Sequence, residues 1–368
     1  MEHQRLTFAQ VMEALLYHPD YGYYTSGQVK ITRQGDFLTA PELTSDFGEL
    51  LAEQLLEMWQ VLGCPRPFSL IEMGSASGKL AADILTYLEG HHPEFAEGIA
   101  YGILEKSAAW RPQQEERLAG FSQVRWLDWE DLPDQSVTGC FFANELVDAF
   151  PVHRLVVQSG QVQEIYLTLD EQGSWQEVTG DPSTPELMEH WPIIGMDLTD
   201  PIYPDGYHTE VNLGVRDWLR QVAAKLSRGY LLTIDYGYSA ERYYHPSRSQ
   251  GSLLCYRQHT THTDYYQQMG SQDLTAHVDF TALQRYGEHY GLRPLGLVKQ
   301  DSFLAHLGLL DRIAQLSHSS HQPLGEIWQR RHRLHSLMDP LGLGGFWVLL
   351  QGRGLTANEH CLRGFQKD

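Results

Sequence analysis

The residues with the most chemistry to offer lie in one stretch, Ser69-Leu70-Ile71-Glu72-Met73-Gly74-Ser75-Ala76-Ser77-Gly78. Leu70 and Ile71 read as a short buried strand, and Leu80, Ile84 and Leu88 then recur at helical spacing. Strand, small-residue loop and helix, in that order, form the entrance to a nucleotide-type site in a doubly wound sheet. A Walker loop is excluded: Gly74 to Gly78 is one residue short, and Leu80 stands where a hydroxyl is required. A dinucleotide fingerprint is excluded because no third glycine follows. Glu72 would repel a pyrophosphate, but it suits a ligand with a cationic end. S-adenosylmethionine has an α-ammonium group and a sulfonium. The E-x-G-x-x-x-G run therefore reads as its loop, with Glu72, Gly74, Ser75, Ala76 and Gly78 as candidate contacts. A tight turn without a ligand is the plainer alternative.

Further acidic residues fall at the ends of the strands that follow. Ala100 to Leu104 reads as a second strand closed by Glu105, where a carboxylate can accept from both hydroxyls of a ribose. Val124 to Trp126 reads as a third strand whose end, Leu127-Asp128, would flank an adenine ring. Gly139 to Ala143 reads as a fourth, ending in Asn144-Glu145-Leu146-Val147-Asp148. The first and fourth strands flank the switch in strand order, so Asn144, Glu145 and Asp148 would meet an acceptor beside the cofactor. Helix capping is the competing reading of these three. Tyr230 to Ile234 reads as a fifth strand, followed by Asp235-Tyr236.

The rest of the chain must position these groups. Thr7 to Tyr17 reads as a short helix, broken by the aromatic loop His18 to Tyr24. Thr39 and Glu42, with Pro41, fit a capping box opening one long amphipathic helix that runs to Leu62. The functional reading of the Gly35–Glu42 loop is a lid carrying Asp36, Thr39 and Glu42. Val152–Val157 and Val162–Leu169 read as a β-hairpin. Thr209–Leu213 and the helix after it lead back to the sheet. Ser239 to Asp279 reads as a long irregular polar insertion, ending in a run that holds His277 and Asp279. Leu295–Val298 and Phe346–Leu350 supply the last two strands. The expected fold is α/β: a doubly wound, Rossmann-like class I methyltransferase sheet. The expected division is an N-terminal helical section and lid loop over 1–65, then a methyltransferase domain over 66–368 with insertions at about 152–205 and 239–280.

Composition narrows the partners. The 368 residues carry a formal net charge of -20, which argues against nucleic acid and anionic membranes. The four cysteines are scattered and form no C-x-x-C pair, which points to a reducing compartment. Three H-x-x-H pairs, His259/His262, His318/His321 and His332/His335, lack the companions of a zinc site, so no metal is expected. No apolar run is long enough for a membrane span, and the N-terminus shows no targeting segment. A bacterial-type cytoplasmic location is the expectation.

Several runs together resemble the MidA-like S-adenosylmethionine-dependent methyltransferases. They are His18-Pro19 with Gly22-Tyr23-Tyr24; Gly35-Asp36-Phe37 through Glu49; Glu72-Met73-Gly74 through Gly78; Ala143-Asn144-Glu145 with Asp148, Ala149 and Pro151; Asp235 to Tyr238; and Asp273 to Phe280. They occur in family order over nearly the whole chain. One departure is Ala76, where the family's G-x-G-x-G loop usually has its middle glycine. The resemblance implies S-adenosyl-L-methionine as cofactor and methylation of an arginine nitrogen in a partner protein. That partner would be a subunit like the large hydrophilic 49-kDa subunit of complex I, methylated during assembly. A homodimer is compatible with this reading. Glu145, with Asp148 or Asp235, would orient the guanidinium and receive its proton, while His277, Asp279 and Tyr236 would line the acceptor channel. Two other functions remain at this point. One is a non-catalytic assembly chaperone that binds S-adenosylmethionine; the other is a small-molecule methyltransferase.

Overall fold

A computed structural model describes residues 5–26, 39–257, 260–316 and 323–366. Its large sheet has seven strands: β1 (Phe68–Met73), β2 (Ile99–Leu104), β3 (Val124–Trp126), β4 (Val137–Asn144), β5 (Leu226–Asp235), β6 (Arg293–Lys299) and β7 (Trp347–Arg353). They lie in the order β6-β7-β5-β4-β1-β2-β3. Strand β7 runs antiparallel to both of its neighbours, and the pairs from β5 to β3 are parallel. Chain order reverses between β1 and β4, and a crevice opens there at the carboxyl ends of the strands.

The strands are apolar almost throughout because both faces are covered. Leu70, Phe142 and Leu232 point into one core, while Ile71, Phe141 and Leu231 point into the other. The first core is closed by helices. These follow α1 (Phe8–Tyr17) in the order α2 (Ala40–Leu43), α3 (Ser45–Val61) and α4 (Lys79–His91). Leu43, Phe47, Leu50, Leu51, Leu55, Trp59 and Leu62 are all buried, as their spacing predicts.

The single long helix expected from Thr39 is instead broken in two. Thr44 is extended (φ -161°, ψ 146°), and its hydroxyl accepts from the Asp46 amide. Thr39 makes no side-chain cap. Glu42 turns away from it and accepts from the Ser77 hydroxyl across the crevice. A contact 35 residues distant in sequence thus displaces the local capping box.

A second sheet flanks the first. Its hairpin, His153–Gln158 with Gln161–Leu169, turns at Ser159-Gly160, both at positive φ, as tight hairpin turns require. Thr209–Leu213 is expected to lead the chain back to the large sheet, and the strand there spans Tyr207–Val211. It pairs with His153–Gln158 instead, and so belongs to the second one. The described residues among 1–65 are divided between the layers: α1 packs with Leu167, Leu253 and Leu274, and α3 packs under the large sheet. The polar insertion is also more ordered than expected. Leu254–Arg257, Thr260–His262 and Asp273–Thr275 form a small antiparallel sheet. Among the described residues, no helix is long and apolar enough to cross a membrane.

Helices α3 and α4 approach closely because Gly48 has no side chain: a Cβ there would stand 2.7 Å from the Asp83 Cβ. Alanine normally stabilises a helix interior by about 1 kcal/mol over glycine. Gly48→Ala is expected to do the opposite, lowering stability by about 1 to 2 kcal/mol through overpacking. Urea unfolding midpoints of the two proteins check the sign.

Candidate active site

The loop after β1 folds as it does because its backbone needs positive φ. Gly74 sits at φ 74°, and a Cβ on it would lie 2.8 Å from the Leu146 Cδ1. Just before it, Glu72 is buried and accepts from the Tyr101 hydroxyl at 2.6 Å. Burial pushes this carboxyl up to about 7, against the pull of the Tyr101 bond. A cationic ligand group beside it would restore its charge.

Ala76 adopts φ 46°, a left-handed conformation that costs an alanine about 1 kcal/mol or more. Two contacts fix it there. Its amide donates to Glu105 Oε2 at 3.0 Å, and its carbonyl accepts from Gln114 Nε2 at 2.7 Å. Glu105 Oε1 accepts from the Ser107 amide at 3.0 Å. The residue expected to hold a ribose therefore also braces the glycine loop. Its carboxyl is pushed up by burial and pulled back by these amide donors.

Ser75, Leu127 and Asp128 line the crevice with Glu72, Gly74, Ala76 and Glu105. Asp128 is exposed at the start of the turn Trp129–Asp131, where its amide donates to Asp131 Oδ2 at 2.8 Å. Gly78 is not in the wall. At φ 73° it starts α4 from behind the loop, against Gln114 and Leu118. Thr39 and Glu42 form the facing edge of the crevice. Asp36 lies outside the described residues.

The acceptor end is built from the termini of β4 and β5. Asn144 Nδ2 donates to Glu145 Oε1 at 3.1 Å, while its Oδ1 is buried without a partner among the described residues. Glu145 is held at φ 51°, and its amide donates to the Ile234 carbonyl at 2.9 Å. Burial, then the charge of Asp148, pushes the Glu145 carboxyl up to about 8. Asp148 Oδ2 accepts from the Tyr236 hydroxyl at 2.6 Å, and burial raises this carboxyl to about 6. His277 stacks on Tyr238 (centroids 4.9 Å apart) and meets Tyr236 edge-on. Burial lowers it to about 4, so it is neutral at pH 7.

Besides Gly78, two expected site residues do not face the crevice. Asp235 is fully buried behind the wall. Its Oδ2 accepts from the Val147 and Asp148 amides at 3.0 and 3.3 Å, and its Oδ1 from the Tyr236 amide at 2.8 Å. Burial and the neighbouring Asp148 push it up against the pull of these donors. With both oxygens engaged, it positions the wall rather than meeting an acceptor. Asp279 caps the helix Phe280–His289 by accepting from the Thr281 and Ala282 amides.

The structure also adds residues that the sequence reading missed. Tyr24 donates to Asp273 Oδ1 at 2.8 Å and stacks on Tyr17, and all three line the cavity with Tyr256. The run His18 to Tyr24 carried the only local hint, an unusual density of aromatic rings beside a helix end. The whole cavity measures about 1220 Å³. Among the described residues, no group of three His, Cys, Asp or Glu is placed to hold a metal ion.

A reversed seven-stranded sheet with an acidic glycine loop at its first strand defines the class I S-adenosylmethionine-dependent methyltransferases. The wall fits that cofactor on its own chemistry. Gly74 leaves a cradle that a Cβ would fill, Glu72 is a buried carboxyl short of a cation, and Asn144 has an orphaned acceptor. Residues 50–298 match a family model described as "Putative S-adenosyl-L-methionine-dependent methyltransferase". The chain is 30% identical over 336 residues to a Drosophila melanogaster protein named protein arginine methyltransferase NDUFAF7 homolog, mitochondrial, covering 84% of this chain and 72% of the relative. The human protein arginine methyltransferase NDUFAF7, mitochondrial, is 26% identical over 387 residues, covering 96% and 82%. A crystal structure from Burkholderia thailandensis, described as a "likely methyl transferase" bound to S-adenosyl-homocysteine, superposes with a TM-score of 0.83. It is 30% identical and covers 98% of this chain and 90% of its own. The chain belongs to the MidA-like family of S-adenosylmethionine-dependent methyltransferases.

Gly74→Val is expected to abolish cofactor binding in a folded protein, because the added side chain meets Leu146. Calorimetry with S-adenosyl-homocysteine, beside a circular dichroism melt, checks this. The Glu72 carboxyl gives a second expectation. A cationic ligand binds its ionised form, so affinity should rise with pH up to about 7 and then level off. Dissociation constants at pH 6 and pH 8 should differ by roughly tenfold, and Glu72→Gln should flatten the profile.

Proposed function

We propose that this enzyme is a protein arginine N-methyltransferase, and that its acceptor is a subunit like the large hydrophilic 49-kDa subunit of complex I. The observation that carries the reading is the make-up of the acceptor end. Glu145, Asp148 and Asp273 stand in one wall with the rings of Tyr17, Tyr24, Tyr236 and Tyr256. Carboxylates bind a guanidinium through two-point hydrogen bonds, and aromatic faces attract a planar cation. The names of the Drosophila and human relatives support the same acceptor chemistry.

The bound cofactor supplies a methyl carbon activated by its sulfonium. The chain's own residues handle the acceptor. An arginine is protonated in water, so its nitrogen needs alignment and a route for its proton. Asn144 and the backbone strain at Glu145 fix the Glu145 carboxyl at the end of β4. Asp148 is fixed through Tyr236, and Asp235 holds that turn from behind. An incoming guanidinium ionises these raised carboxyls and is clamped by them. Its spare proton leaves to Glu145, whose high proton affinity suits a base at neutral pH. His277, neutral and buried beside Tyr236, borders the way out.

Glu145→Gln should keep cofactor affinity within about twofold and lower transfer at least 100-fold. It should also stabilise the fold. A carboxyl raised from 4.5 to about 8 makes the folded state hold a proton that the unfolded state gives up. Stability therefore falls as pH rises between these values. The amide removes that loss, so the variant should gain about 1 to 2 kcal/mol at pH 8 and nothing at pH 4. Radiolabel transfer from S-adenosylmethionine to the purified subunit, followed by amino-acid analysis, tests the acceptor. Label on methylarginine supports the reading. Binding of the subunit without label would favour a chaperone, and label only in a metabolite extract would favour a small-molecule enzyme.

A further inference from the structure

Three cations from two parts of the chain meet at the edge of the cavity. Arg242 and Arg248 both lie over the Tyr238 ring, at 4.5 and 4.1 Å from its centroid. Lys299 ends β6 and lies 3.6 Å from the centroid of the Trp347 ring, with its ammonium donating to the Gly345 carbonyl at 2.6 Å. Arg242, Lys299, Tyr238 and His277 line the cavity.

Elsewhere this chain, with its net charge of -20, commonly pairs its cations. Arg154 meets Glu177, Arg228 meets Glu359, and Arg312 meets Asp46. Arg242, Arg248 and Lys299 make no ion pair among the described residues. Arg242 and Lys299 are also close enough to repel: Lys299 is lowered to about 8, first by burial and then by the charge of Arg242, with Asp301 pulling the other way. Asp301, the nearest acid in sequence, is turned to its own chain and accepts from the Ser302 amide. Gathering like charges with only Asp301 to oppose them, and no direct ion pair, costs stability, and a ligand anion recovers it.

The sheet register says how far this edge lies from the reacting end. Lys299 is opposite Trp347, and Trp347 is opposite Asp235. Ile234, beside Asp235, is opposite Asn144. Three strand spacings therefore separate Lys299 from the Asn144–Glu145 end, about 14 Å. An extended polypeptide covers that distance in about four residues, and in fewer when a flanking side chain spans part of it.

We propose that Arg242, Arg248 and Lys299 form an anion subsite that selects a substrate segment with an acidic side chain two to four residues from the methylated arginine. The carboxylates at the floor take the target cation, and the cations at the edge take its neighbour. The proposal rests on the protein arginine reading above and adds the sequence context of the acceptor. A carboxylate and a phosphoserine present the same chemistry to these groups.

The test is a degenerate peptide library with one fixed central arginine. Its flanking positions contain Asp, Glu, Lys, phosphoserine or neutral residues. Methyl transfer from labelled S-adenosylmethionine is followed by sequencing of the labelled peptides. The wild-type enzyme is expected to enrich an acidic residue two to four positions away. Neutral-flanked peptides should show a KM at least tenfold higher with kcat within about twofold. Separate enrichment of Asp/Glu or of phosphoserine identifies the source of the anion. Arg242→Glu combined with Lys299→Glu should shift the preference to Lys, a gain that a damaged fold cannot produce. Labelling without an acidic preference, or a charge-reversed variant with the wild-type preference, overturns the subsite and leaves the arginine reading standing. No label in any peptide, with S-adenosyl-homocysteine binding intact, overturns the arginine reading and the subsite with it.

Discussion

Asp235 carries no chemistry of its own, yet the site depends on it. One buried carboxylate accepts from three backbone amides, those of Val147, Asp148 and Tyr236. Hydrogen bonds made in so dry a place are electrostatically stronger than the same bonds in water. They tie the chain leaving β5 to the turn that follows β4. That turn then has to present Asp148 and Glu145 to the crevice, and Tyr236 has to point its hydroxyl at Asp148. The cost is that several acidic groups share one dry volume. Burial raises all of them, and the charge of Asp148 raises both Glu145 and Asp235 further. A wall of this kind is short of cations, which is the property a guanidinium-binding site needs.

On the proposed reading, the two ends of the cavity use one device for different ligands. At the cofactor end, a buried Glu72 beside a glycine cradle lacks a cation. At the acceptor end, Glu145 and Asp148 lack one. Each end gives up fold stability to keep a carboxyl poised, a common exchange at functional sites. Glu105 shows the economy of the arrangement: it lines the crevice and also holds Ala76 in a backbone conformation better suited to glycine. The departure at Ala76 is absorbed by those hydrogen bonds.

Much of this was legible in the chain itself. The first strand, its acidic loop and the helix after it are local features, so spacing alone placed them, and the five acidic strand ends followed in order. The errors came where a distant partner outbid a local one. Thr39 and Glu42 fit a capping box, but Glu42 is held by Ser77, and Thr44 caps α3 instead. Asp235 and Asp279 sit beside site residues in sequence, but both Asp235 oxygens and Asp279 Oδ1 are taken by backbone amides. Tyr24 and Asp273 meet across 249 residues; each lies in a run that resembles the family, but nothing local pairs them. Arg242, Arg248 and Lys299 are scattered in sequence and become a cluster only when β5, β6 and the insertion between them are folded together.

The central claim is that Glu145 holds its proton at neutral pH until a planar cation arrives. Carboxyl-carbon NMR of 13C-glutamate-labelled protein, saturated with S-adenosyl-homocysteine and assigned against Glu145→Gln, measures this directly. The account predicts a titration near pH 8 that moves down by more than one unit when millimolar guanidinium is added. An ordinary titration near 4.5, unmoved by guanidinium, would contradict it.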